Sequence, residues 1–165
     1  MRRARTSGTV AQHSAAVQRP AVADIIRRAT LGTAIGLLIQ YALGMWVSLY
    51  VTVPAREHGG GVAAAIGRAL SGGPAALAVH AGIGLLLLVG SIVLVVRAAL
   101  ARVPFFIVTS SVNLIAVAGA AASGAAFVNA GRTGASLDMA LLTGVALLCQ
   151  VLNLYWLGSG RPSGG

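Results

Sequence analysis

Apolar residues along this chain gather in long unbroken blocks, with none of the strict alternation of a half-buried strand. Four blocks, at about 31–53, 75–96, 104–128 and 136–157, are nearly free of charge. A helix needs about 20 apolar residues to cross the hydrocarbon core of a bilayer, so each block predicts one membrane-spanning helix. Their ends carry breakers or charges: Arg27 and Arg28 before the first, Pro54 after it, the Ser-Gly-Gly-Pro of 71–74 before the second, and the stretch from Arg97 to Pro104 between the second and third. Upstream, Val22, Ile25, Ile26 and Ala29 follow Pro20 at helical spacing, which predicts a short helix lying on the membrane surface. The fold expected is therefore all-α, an integral membrane four-helix bundle with a short N-terminal interfacial helix. Residues 1–29 form a basic cytoplasmic tail that contains this helix, and its first dozen residues are expected to lack regular structure. Residues 30–157 form the membrane domain and 158–165 a second tail. The connection 54–74 is either a flexible connector or, through "GVAAAIGRAL" at 61–70, a short helix that caps the bundle.

Composition strengthens this picture. The chain of 165 residues is 57% hydrophobic and only 9% charged, with a mean hydropathy of +0.86, outside the range of soluble domains. Its net charge of +9 is carried by arginine alone. Together with the abundance of Ala, Gly and Val, this suggests a GC-rich bacterial source. Arg2, Arg3, Arg5, Arg19, Arg27, Arg28, Arg97, Arg102 and Arg161 fall on one side of the four spans, against Arg56, Arg68 and Arg132 on the other. The positive-inside rule then predicts a multi-pass protein of the bacterial cytoplasmic membrane with both termini cytoplasmic. Topology accounts for these arginines without a nucleic-acid partner, since they do not form a patch interleaved with aromatics. The partners expected are the lipid bilayer and a second copy of the chain or another membrane protein.

Polar residues inside the spans are the candidate chemistry. Gln40, Asn113 and Gln150 each sit about 10–14 Å from the cytoplasmic end of their blocks at 1.5 Å per residue. Thr143, Gln150 and Asn153 share one stripe of the last helix. Buried amides without partners are costly in lipid, so Gln40, Asn113, Gln150 and Asn153 are expected to form one hydrogen-bonded layer. Its use is either interhelical attachment or a polar cavity. Gly32 and Gly36, extended by Gly44, and the small-residue run 116–126 predict close helix contacts.

His80 belongs to the opposite end, about 8 Å from the start of its helix, where Asp138 and Asn129 also fall. Three readings are open: a packing or water-facing histidine, a His80–Asp138 pair serving a proton or ligand, or a ligand to a metal or haem. Haem is disfavoured, because His13 and His58 lie outside the spans and only Met139 offers a second axial ligand at that depth. No metal site is expected, and any other cofactor is left open. The single Cys149 builds neither a disulfide nor a CxxC site within the chain. No phosphate-binding loop, HExxH or nucleophile elbow occurs, so no catalytic residue is proposed.

The segments "ALGMWVSLYVTVP" (42–54), "PAALAVHAGIGLLLL" (74–88) and "MALLTGVALLCQVLNLYWL" (139–157) resemble an uncharacterised family of small four-helix actinobacterial membrane proteins, over most of residues 30–157. The resemblance implies a fold and no activity. The turn "NAGRTGAS" (129–136) departs from the Asn-Gly-Ala-Ser-like turn of that family. The function expected is that of a small non-enzymatic inner-membrane protein, a structural or accessory subunit. The alternative is a redox-linked or small-molecule-binding protein using an outer-leaflet site around His80 and Asp138. A minimal transporter is a third reading, weakened by the lack of charge in the middle of any span.

Overall fold

The computed structural model describes residues 6–50, 61–130 and 134–159, with the side chains of the first helix from Asp24 onward. Pro54, Glu57, His58 and Arg132 lie outside the described residues. Among the described residues five helices follow one another: α1 Thr6–Tyr50, α2 Val62–Gly72, α3 Ala75–Ala101, α4 Pro104–Ala130 and α5 Gly134–Ser159. Four stretches are long and apolar enough to cross a membrane: Asp24–Tyr50, Ala75–Ala101, Pro104–Asn129 and Gly134–Ser159. The chain is a multi-pass membrane protein.

Two parts of the expected architecture are overturned. The bundle has five helices, not four, because α2 folds in the connection between the first two spans. There is also no separate short interfacial helix at the N-terminus. Backbone that was expected to be irregular or surface-lying is continuous helix from Thr6, and its membrane-crossing part already begins at Asp24. The physical reason lies in Arg27 and Arg28. Arginine is a good helix former, and its long apolar stem lets a guanidinium near a helix end reach the interface, so an arginine pair marks a membrane boundary without ending the helix. No proline interrupts the chain from Ala21 to Tyr50.

The turns are better punctuated. α3 ends where Arg102 takes a left-handed conformation (φ 54°, ψ 32°) and its N–H bonds Ala99 O at 3.1 Å. Pro104 then opens α4, where a missing N–H costs nothing. Between α2 and α3, a Cβ on Gly73 would stand 2.9 Å from the carbonyl oxygen of Ala69, so only glycine fits the turn without a shift. Pro74 follows, its carbonyl accepting from Leu77 and Ala78.

The spans form a ring in which α1 packs on α3 and α5, and α4 packs on α3 and α5. Across the centre, no Cα of α1 comes within 8 Å of one of α4 among the described residues, and the same holds for α3 and α5. Leu37, Leu87, Ala116, Val117 and Ala146 fill the middle of the ring with one side chain or more from each span. A second cluster, Val47, Ala69 and Leu77, joins α2 to the tops of α1 and α3. α2 is amphipathic and turns Ala65 and Ala69 inward over the bundle end. The outer faces carry large apolar side chains such as Leu86 (72% exposed) and Ile115 (70%), as lipid-facing surfaces do. Aromatic side chains gather at both ends: Trp46 against Tyr50 near α2, and Trp156 against Phe105 and Phe106 at the other end. This is the interfacial distribution of a spanning bundle.

Small residues make the close contacts, but not all those expected. Gly36 faces Leu87, Gly119 faces Leu142 and Gly124 faces the Met139 sulfur, whereas Gly32 has nothing within 4 Å of where a Cβ would stand. The Gly32–Gly36 pair is therefore not a joint contact motif; Gly36 and Gly44 are the glycines that meet α3.

Candidate functional site

Between the central cluster and α2 the ring leaves a cavity of about 470 Å³. It falls in the size range of small-molecule sites. All five helices contribute to its wall, which is mostly apolar and includes Gln40 and His80. Tyr41 and Met45 on α1, Leu85 on α3 and Leu137 on α5 line it and are also exposed on the outside of the bundle.

Gln40 and His80 are joined by a reciprocal fit of two antiparallel helices. Gln40 and Gly44 are one turn apart on α1, as are His80 and Gly84 on α3. The His80 ring lies on Gly44, where a Cβ would come 3.1 Å from Cε1, and the Gln40 amide lies on Gly84, where a Cβ would come 3.0 Å from Nε2. Each polar side chain thus occupies the space the opposite glycine leaves. Gly84 also uncovers the carbonyl one turn before it, and Gln40 Nε2 donates to His80 O at 3.0 Å. The same nitrogen meets His80 Nε2 at 3.3 Å. Two polar atoms of this pair, Gln40 Oε1 and His80 Nδ1, are buried without a partner.

The pair of His80 with Asp138, one of the three readings of this histidine, is not formed. His80 takes Gln40 as its partner, Asp138 is exposed, and it does not line the cavity. Asn129 instead receives a hydrogen bond from Arg68 Nη2, which ties α2 to the end of α4. Nor do the amides form one layer. Gln40 is at the α2 end with His80, while the others lie toward the opposite end in smaller groups. Asn113 Nδ2 donates to Ser91 Oγ at 2.9 Å, and Ser91 in turn bonds Leu87 O at 2.8 Å. Asn153 is hydrogen-bonded to Thr109. Gln150 is fully buried, and both its Oε1 and Nε2 lack a partner. Thr143, Gln150 and Asn153 are all buried, as is Cys149. No group of three or more His, Cys, Asp or Glu side chains able to hold a metal occurs among the described residues.

Sequence reasoning missed the joint between Gln40 and His80. The signal was present as two equal spacings, a polar residue followed by glycine four positions later in each of two antiparallel spans.

No family model, curated protein or solved structure matches the chain. The resemblance to an actinobacterial family therefore has no support from these comparisons, and the chain stands as a small multi-pass membrane protein.

Proposed function

We propose that this protein is a non-enzymatic binding protein of the bacterial cytoplasmic membrane that holds one lipid-soluble molecule in the cavity beneath α2. The observation that carries the reading is the cavity of about 470 Å³, apolar over most of its wall, with Gln40 and His80 among its few polar lining residues. An apolar cavity with few polar groups is the usual form of a small-molecule site, and the exposed lining residues favour entry from the lipid phase. This is the small-molecule site expected around His80, with Gln40 in place of Asp138. Such a protein serves as an accessory component, presenting or sequestering its ligand.

A photoactivatable alkyl diazirine tests this in purified protein. Saturable labelling is expected at cavity residues such as Met139 and Gly124, and Ala121→Leu, which adds bulk to the cavity wall, should reduce it at least tenfold with helix content unchanged. Labelling spread over lipid-facing residues such as Leu86 and Ile115, indifferent to the variant, would mark a purely structural subunit.

The arginine distribution supports an orientation in which α2 faces outward. In a Cys149→Ala background, a cysteine at Ser71 should react with an impermeant thiol reagent in intact cells, and one at Ser159 only after permeabilisation. The opposite pattern would reverse the orientation.

A further inference from the structure

A charge stands beside the cavity at its α2 end, and no acid offsets it. Arg68 is the one cation at this end among the described residues, since Arg27, Arg28, Arg97 and Arg102 lie at the opposite end of the bundle. Its neighbours on α2, Ala65, Ile66 and Ala69, line the cavity. Arg68 is rotated about 60° from Ala65 at 100° per residue, which carries it off the lining face to the end of α4. There its Nη2 donates to Asn129, the residue after the cavity-lining Val128. Arg68 is half-buried, and its partner is a neutral amide. Asp138, the one described acid at this end, is exposed on α5 and forms no ion pair with it. A guanidinium presents five N–H donors in a planar fork, and the Arg68 nitrogens are not among the atoms buried without a partner. They remain open, whereas the spare atoms of the interior pair, Gln40 Oε1 and His80 Nδ1, are closed off.

The cover over the cavity is one-sided. α2 packs on α3 and α4, and none of its Cα atoms comes within 8 Å of one of α1 or α5 among the described residues. On the α5 side Ser136 and Leu137 line the cavity. No Arg, Lys, Asp or Glu lines the wall, so a charged group inside would carry a heavy desolvation cost. Resting on the binding function proposed above, we infer that the ligand is a single-chain anionic amphiphile, a carboxylate or phosphate on a hydrocarbon chain. The chain lies in the cavity, and the head pairs with Arg68 at the rim between α2 and α5. Guanidinium favours these anions through its forked geometry, and the pairing involves no covalent step.

Protection of Met139 from the alkyl diazirine reads occupancy. The protein is placed in phosphatidylcholine nanodiscs at about pH 9, where carboxylate and phosphate heads are both ionised. Dodecanoate or dodecyl phosphate should protect at about a tenth or less of the membrane mole fraction that dodecanol or dodecyltrimethylammonium requires. The stronger of the two anions identifies the source as a fatty acid or a phosphate ester, and equal strength shows that charge alone is read. Arg68→Gln, whose amide can still donate to Asn129, should bring the anions and dodecanol to within about threefold of each other. Arg68→Lys, which keeps the charge, should retain the preference. Should Arg68→Gln fail to fold, the wild-type ranking decides by itself. Dodecanol protecting as well as both anions, or an anion preference that survives Arg68→Gln, would overturn the inference and leave the cavity reading intact. Absence of saturable labelling by the diazirine would overturn both.

Discussion

Gly44→Leu and Gly84→Leu are expected to destabilise the protein by about 1–3 kcal/mol each through overpacking. Loss of the Gln40–His80 hydrogen bonds adds to this, at about 0.6 kcal/mol for an average membrane hydrogen bond. A side chain at Gly44 has to displace the His80 ring, and one at Gly84 the Gln40 amide, because their first added atom would already stand 3.1 and 3.0 Å away respectively. Both partners sit on helices fixed by the central cluster, so neither can retreat far. Gly32→Leu provides the control: nothing lies within 4 Å of its Cβ position, and the change should be close to neutral. Unfolding measured by steric trapping in bicelles should separate the three variants. Equal stability of all three would mean that the two glycines do not shape this joint.

Gln150→Leu should raise stability by about 1–2 kcal/mol. The side chain is fully buried and neither polar atom has a partner, so removing the amide relieves a desolvation cost that no hydrogen bond offsets. Leucine is of similar size and leaves no large void. Asn153→Leu should act in the opposite direction by about 1 kcal/mol, since it breaks a hydrogen bond to Thr109. The sign difference between two amides one turn apart is the point of the comparison. A loss of stability in Gln150→Leu would show that this side chain has a partner in the membrane.

The four spans were legible because length and hydropathy alone decide them. The start of the first was not. Reading Arg27 and Arg28 as a stop placed Gln40 near the cytoplasmic end, whereas a span beginning at Asp24 carries it about 24 Å from that end, to the level of His80. The missing pair with Asp138 has a local cause: the buried stripe of α5 runs from Thr143 round to Cys149, and Asp138 falls just beyond its Cys149 edge, exposed, while His80 meets Gln40 of α1. Which polar residues shared a depth depended on the true helix ends, and which shared a face depended on neighbours. Hydropathy resolves neither. The ordered α2 was only half legible, because its amphipathic composition needs the end of the bundle to pack against.

A density map of the protein in a lipid nanodisc, at a resolution that shows side chains, tests the central claim most directly. The account predicts an elongated feature in the cavity between α1 and α4, beneath α2. A collapsed ring, with α1 packed directly on α4 and no space beneath α2, would contradict it.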